Sequence, residues 1–361
     1  MNKKIYIVDL IGSFAGMDYY DTSLANQINK NPYQIKILSN FSLNNDKPFF
    51  EQIFGKNKIY SLITMMWIYT KLFYHIIFHR KATYIFMTYG EIYDFIFFTL
   101  NIFNRHFFLD IHEVYSARYY EKKSIKNIFG WYYKHLINNV IYHSDKTKTI
   151  LEDFGYRGNK LFVPHFKYSI NQNYDKNQLG DDVRQSFCSN KIKMLFFGNL
   201  RKVKGVDIVV SFFEKHNVTD KVELVIAGRN VENIDFSNLV ETYHIIDRHI
   251  NDDELKYLYS HADYVLLPYR DSSQSGVLEM AFTFRTPMLM SDIPYFNGIN
   301  NDYSSFGYIS PLEQYDNLLF SVINEPKDKG CYYTTTDCEK FLMKEEIEKF
   351  KKSFFEIISR H

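Results

Sequence analysis

At 361 residues the chain is too long for one ordinary open-sheet domain and suits two. Hydrophobic residues at 46% and charged residues at 24% exclude a disordered chain, and 43 Lys+Arg against 42 Asp+Glu exclude a global basic pull toward nucleic acid. The three cysteines, Cys188, Cys331 and Cys338, make no CxxC pair and no even disulfide framework, which suits a reducing cytoplasm.

The opening MNKKIYIVDLIGSF has only a brief apolar run, broken by Asp9 and Gly12. It reads as a strand over 4–10 rather than a signal peptide. A helix around 20–29 and a strand over 34–39 complete a Rossmann-like βαβ unit. Gly12 and Gly16 lie in the first loop with no third partner, so no GxGxxG fingerprint forms and a dinucleotide site is not expected. The loop is either a turn needing small residues or a cleft-facing one.

Residues 40–60 are irregular, and 62–79 reads as a helix with Lys71, His75 and His79 four apart on one face. Lys71 and His75 leave its apolar segment short of the roughly 18 uncharged residues of a spanning helix. Two readings stand: a helix half sunk in a core, or an exposed patch of Met65, Met66, Trp67 and Phe73 for lipid or a lipid-linked acceptor. A strand over 84–87, an apolar helix over 93–103 and a strand over 107–111 follow. His112 stands just beyond that strand, where a side chain can face a cleft or simply serve the structure.

Residues 124–139 put Ile125, Ile128, Phe129, Tyr132 and Leu136 at helical spacing, with Lys122, Lys123, Lys126 and Lys134 around them. Those lysines either form a solvated face or hold the chain at anionic lipid, at about 1 kcal/mol each. A strand over 140–143, a helix ending at Gly155 and a strand over 161–164 close the first half. His165 and Phe166 would begin the link, and the polar stretch 167–190 fits an interdomain connection.

The second half opens with a buried strand over 193–197, followed by Gly198-Asn199-Leu200-Arg201-Lys202-Val203-Lys204-Gly205-Val206-Asp207. A strand over 222–227 ends at Gly228-Arg229, another spans 243–246, and a helix with an acidic first turn begins at Asn251. Tyr264 to Leu267 is a short apolar run stopped by Pro268, read as a buried parallel strand. After the polar loop 269–274, Ser275 N-caps a helix, and the next strand spans 286–290.

Such a crossover aims the helix N-terminus at the carboxyl edge of the sheet, where its free amides attract an anion and Gly276 admits a phosphate closely. Glu279 lies one turn further on the same face. Beside a phosphate a carboxylate would be repelled, so its natural target is a pair of ribose hydroxyls. Asp271, eight positions earlier, lies in the loop. Diphosphate, ribose and a further hydroxylated group together describe a nucleotide sugar. Beyond, 292–296 reads as a turn, 310–324 as a helix, 326–337 as a loop and 344–361 as a charged amphipathic helix.

The acidic pair eight apart around Ser275-Gly276-Val277, preceded by Gly198…Lys204-Gly205, resembles the signatures of the retaining glycosyltransferases of family 4, which have the α/β GT-B fold. The resemblance implies two Rossmann-like domains facing across a cleft. Residues 1–168 form the acceptor-side domain, joined by a final helix, about 344–361, that crosses back to it; residues 186–343 bind the nucleotide sugar. It also implies roles: Asp271 and His112 at the donor sugar, Ser275, Gly276 and Val277 at the diphosphate, and Glu279 at the ribose. Lys204 and Arg201 would offset leaving-group charge, Gly198, Gly228 and Arg229 would lie near the nucleotide, and Gly12 and Gly16 would be on the acceptor side. No DxD pattern is present, so no metal and no cofactor beyond the donor are expected, and the leaving phosphate itself assists the acceptor.

The implied activity is retaining transfer of a hexosyl group to a hydroxyl of a glycan or lipid-linked oligosaccharide in bacterial surface polysaccharide synthesis, such as capsule or O-antigen. Its implied setting is the cytoplasm, with peripheral contact at the inner face of the cell membrane. Asn199 replaces the family's Arg and Asp271 its Glu, which supports the rival expectation of a catalytically weak nucleotide-sugar-binding scaffold subunit.

Overall fold

Runs such as TYIFMT, FFLDI and VELVIA are apolar on both sides of the strand, and both sides are covered. The computed structural model describes residues 3–43, 47–53, 57–104, 106–163, 168, 170–272, 274–299, 306–327, 329–333 and 344–359. It divides into Met1–Ser169 with Met343–His361, and Ile170–Leu342. His165, Phe166 and Lys167 lie outside the described residues.

The first unit holds β1 (Lys3–Val8), β2 (Tyr33–Leu38), β3 (Thr83–Thr88), β4 (Phe107–Ile111), β5 (Asn139–Tyr142) and β6 (Asn159–Phe162). They form one parallel sheet in the order β2-β1-β3-β4-β5-β6, with Ile5 opposite both Ile35 and Thr83. Its helices are α1 (Met17–Ile28), α2 (Lys58–Phe78), α3 (Asp94–Leu100), α4 (Lys123–His135) and α5 (Asp145–Asp153). Right-handed crossovers place α1 on one face and α2 to α5 on the other. The last helix of the chain, α12 (Lys344–Ser359), covers the α1 face, its Phe354 ring 5.0 Å from Phe108 and its Phe355 ring 5.0 Å from Tyr33.

α2 begins at Lys58, earlier than its periodicity suggests, because the Asn57 side chain accepts from Ile59 N at 2.9 Å and caps it. With 20 residues from Ile59 to Phe78 it is, by length and composition alone, long and apolar enough to cross a membrane, with Lys71 interrupting its uncharged run. Met65 and Phe73 pack half-buried against the core, whereas Met66 and Trp67 are exposed. α4 ends four residues before the expected 139, since Asn139 already opens β5.

The second unit holds β7 (Ile192–Phe197), β8 (Val222–Ala227), β9 (His244–Ile246), β10 (Tyr264–Leu267), β11 (Met288–Ser291) and β12 (Gly307–Ser310), all parallel. The order β12-β11-β10-β7-β8-β9 puts a topological switch point between β7 and β10. Around it pack α6 (Asp181–Arg184), α7 (Val206–Lys215), α8 (Asp252–His261), α9 (Gly276–Thr283), α10 (Pro294–Ile299) and α11 (Tyr315–Asn324). The stretch from Ile170 belongs to this unit rather than to a free connection. Arg248 bridges Asp182 at 2.6 Å and Glu254 at 2.8 Å, and Glu254 accepts from Gly180 N at 3.0 Å.

Two further readings change. Residues 292–296 are not a bare turn: Pro294 opens α10, where its missing N–H costs nothing. Ser310 ends β12 rather than opening a helix, and α11 starts only at Tyr315 after a 3₁₀ turn.

Candidate functional site

In the second unit, β7 and β10 deliver their carboxyl ends side by side. β10 stops at Leu267 and the chain returns through Ser275, whose hydroxyl accepts from Leu278 N at 3.2 Å and whose carbonyl takes Glu279 N at 3.2 Å. Gly276 and Val277 therefore contribute the two first-turn amides that lie ahead of any in-helix carbonyl. Gly276 is exposed, while Val277 and Glu279 are buried. Ser275 is itself held, its amide donating to the Tyr295 hydroxyl at 3.1 Å and its hydroxyl lying 3.4 Å from that of Tyr269.

Directly opposite is the loop that follows β7. A Cβ added to Gly198 would stand 3.3 Å from Lys204 Nζ and 3.4 Å from Val277 Cγ2, so strand end, lysine and helix mouth converge on one point. Gly228 has φ +139, and a Cβ there would lie 1.9 Å from the Gly198 carbonyl oxygen. Only glycine permits the two loops to approach this closely. Gly198 N in turn donates to the Ala227 carbonyl at 3.0 Å, and Leu200 N to that of Arg229 at 2.8 Å.

Lys204 sits in a short 3₁₀ turn, Lys202–Lys204, with its ammonium 5.7 Å from the centre of the buried Tyr269 ring. Loss of water first, and the Arg201 charge second, push its pKa down to about 8. An ammonium so placed gains most from an arriving anion. The turn is anchored by Arg270, which grips Asp207 through both guanidinium nitrogens at 2.7 and 2.8 Å and also donates to the Lys202 carbonyl. Arg270 N donates to Val203 O at 2.8 Å. This clamp was not legible in the sequence, because Arg270 and Asp207 stand 63 positions apart.

The sequence-predicted residues thus fall into groups. Gly198, Lys204, Gly228 and Val277 meet at one point, with Ser275, Gly276 and Glu279 on the adjoining helix turn. Arg201 is exposed but near enough for its charge to act on Lys204. Arg229 and Asp271 are half-buried on the loops after β8 and β10.

His112, Gly12 and Gly16 belong to the first unit. Gly12 has φ +50 in a 3₁₀ turn and Gly16, at φ +73, begins α1. The amides of Ile11 and Gly12 donate to the Asp9 carboxylate at 2.9 and 2.8 Å, so this loop is wrapped around an acid.

His112 lies in a buried polar network that the sequence reading missed. Asp110 precedes it by two on the same face of β4. Its oxygens contact His143 Nε2 at 2.6 Å and the Tyr20 hydroxyl at 2.8 Å, and His112 Nε2 lies 3.9 Å away. His143 Nδ1 also faces the Val163 carbonyl at 3.1 Å. Burial, the largest single influence, would raise the Asp110 pKa; the His143 charge and hydrogen bond, the His112 charge and the Tyr20 hydrogen bond together outweigh it and hold the carboxyl below its usual range.

Asp110, His112 and His143 carry metal-ligand chemistry, and they are the one such cluster among the described residues. Their ligand atoms lie within 4.8 Å of one another, and the two imidazoles stack 5.2 Å apart at an interplanar angle of 29°. Nearby, burial raises the pKa of Asp9 and, further, that of Asp21, whose carboxyl is also opposed by the Asp9 charge.

Residues 181–323 match the family model for glycosyl transferases group 1. Among solved structures, the chain is similar to a sucrose-phosphate synthase from Thermosynechococcus elongatus at 12% identity and TM-score 0.72, covering 99% of this chain and all of that one. It is similar also to HepE of Anabaena in complex with UDP-glucose, at 11% identity and TM-score 0.71 with the same coverage. A third is WaaG, a glycosyltransferase involved in lipopolysaccharide biosynthesis, at 12% identity and TM-score 0.59 over 97% of this chain and 95% of that one. No curated protein matches the chain. At these identities the solved structures establish the fold, and the family match falls on the unit in which glycine loops, lysine and helix mouth converge. The chain has the GT-B fold, and within its second unit residues 181–323 match the glycosyl transferases group 1 family.

Proposed function

We propose that the chain transfers a sugar, with retention of anomeric configuration, from a nucleotide-diphosphate donor to a hydroxyl of a glycan or lipid-linked oligosaccharide. The observation that carries this reading is the convergence of Lys204 and the first turn of α9 at the ends of β7 and β10. An ammonium and two helix-mouth amides form a seat for a diphosphate, and Glu279 lies one turn further for the ribose. As the glycosidic bond breaks, negative charge grows on the leaving diphosphate, and fixed donors stabilise it with no reorganisation. Arg201 adds a second cation at the rim, Asp271 contacts the sugar from the loop after β10, and no metal is assigned a part.

UDP-glucose bound to HepE and the lipopolysaccharide role of WaaG support a nucleotide-sugar donor and a glycan acceptor. Surface polysaccharide synthesis on the cytoplasmic side of a membrane is the setting that fits such an acceptor. The purified chain, offered a panel of nucleotide sugars and glycan acceptors, should release nucleoside diphosphate and form a product whose anomeric proton coupling matches that of the donor. An inverted coupling would overturn retention. Tight nucleotide binding without turnover of any donor would instead favour a scaffold subunit, the reading to which the neutral Asn199 gives weight.

A further inference from the structure

α2 is apolar on its outer side as well as on its inner one, unlike a helix that faces water. The Lys71 ammonium donates to the Phe49 carbonyl and His75 Nδ1 lies 2.9 Å from the Tyr84 hydroxyl, beside the buried Ile68, Leu72 and Ile76. On the other side Ile59, Leu62, Ile63, Met66, Trp67 and Phe78 are each 61–79% exposed. Their spacing of three and four residues makes one stripe along a helix about 31 Å long. It continues sideways. Phe73 meets Phe103, just beyond α3, at 5.2 Å, Phe95 of α3 stacks on Tyr132 of α4 at 5.0 Å, and Ile128 and Trp131 of α4 are exposed alongside.

Basic residues predominate along these two helices. Residues 58–81 contain no acid and, apart from the inward Lys71, end in Arg80 and Lys81, and residues 122–135 contain Lys122, Lys123, Lys126 and Lys134 with no acid. The chain as a whole is balanced at 43 basic against 42 acidic residues, so the asymmetry is local. Both tryptophans of the chain, Trp67 and Trp131, lie here, 65% and 54% exposed. Apolar stripe, basic surround and tryptophans are the composition of a helix that rests in a bilayer interface.

We propose that the outer side of α2, with the adjoining side of α4, docks in the plane of an anionic lipid bilayer. α2 is long enough to cross a membrane, but Ile68, Leu72 and Ile76 commit its inner side to the sheet, so it lies along the surface. A second copy of the chain is a poorer occupant, since pairing two such faces would bring cations against cations, whereas anionic headgroups complement them. This inference does not rest on the proposed sugar transfer.

The test uses the full chain with vesicles of phosphatidylcholine alone and of phosphatidylcholine with phosphatidylglycerol. Binding should require the anionic lipid and weaken with salt, and tryptophan emission should shift to the blue and be quenched by brominated acyl chains. Ile63→Ser with Met66→Ser, which leaves both reporters in place, should lower partitioning by about tenfold or more. Lys123→Glu with Lys134→Glu should lower it by at least about fivefold for each lysine. All four side chains are outside the core, so an unchanged melting temperature certifies the fold. Equal binding to both vesicle types, or unaltered binding by both variants, would overturn the proposal. So would a soluble dimer that ignores vesicles and that the two serines convert to monomer.

Discussion

Lys204→Met removes the ammonium that faces the first turn of α9 while keeping an apolar stem of similar length beside Tyr269. A charge-assisted hydrogen bond to a diphosphate is worth about 1.5–3 kcal/mol, which is about 10- to 150-fold in nucleoside diphosphate affinity. The pH profile sharpens the test. With a pKa of about 8 in the free protein, the lysine is mostly charged at pH 7 and mostly neutral at pH 9. If only the charged form binds the diphosphate, affinity falls about tenfold across that interval. The stability of the free protein moves the other way. The folded pKa lies below the unfolded value, so the cost of burying the charge is present below pH 8 and is relieved as pH rises from 8 toward 10.5. Titration calorimetry from pH 7 to 9 on wild type and Lys204→Met should show a falling affinity in the first and a flat, weaker one in the second. An equal fall in both proteins would refute the role given to Lys204.

Other perturbations test the remaining parts. Gly228→Ala places a Cβ 1.9 Å from the Gly198 carbonyl at φ +139, a conformation costing about 1–3 kcal/mol before the clash is counted. Urea unfolding should show that loss together with weakened donor binding, and wild-type values for both would contradict the convergence of the two loops. Asp110→Asn replaces the buried carboxylate that His143 Nε2 and the Tyr20 hydroxyl contact and should cost about 1–3 kcal/mol in the same assay; unchanged stability would contradict a part for this network in holding the first unit. Treating the purified enzyme with a chelator should leave transfer rates unchanged, because cationic side chains take the charge-neutralising role, and a strict metal requirement would overturn that assignment.

The α9 site was legible because its signals are local. An apolar run, a proline, a capping serine and a glycine occur within about a dozen residues, and each acts on its immediate neighbours. The paired lysine loop was legible for the same reason. The first unit's polar network was not: Tyr20 and Asp110 lie 90 positions apart, and His143 reaches Asp110 across 33. The only sequence trace was Asp110 and His112 two apart at a strand end, which places both on one face. β12 escaped because it is four residues long and opens with Gly307, whose φ of +142 and missing Cβ let it lie against the Met288 carbonyl. The polar stretch 167–190 looked like a connection because polar composition does not distinguish a free link from one held by ion pairs, and Arg248 lies far along the chain from Asp182.

The most direct test is a melting-temperature series with uridine, guanosine, adenosine and cytidine diphosphates on wild type and on Glu279→Gln, which weakens the ribose contact without changing side-chain size. At a concentration 100-fold above Kd a ligand stabilises by about 2.7 kcal/mol. At least one nucleoside diphosphate should raise the wild-type melting temperature, and the same ligand at the same concentration should raise that of Glu279→Gln clearly less. Absence of any shift in wild type, or an undiminished shift in the variant, would contradict a nucleotide-diphosphate seat at the mouth of α9.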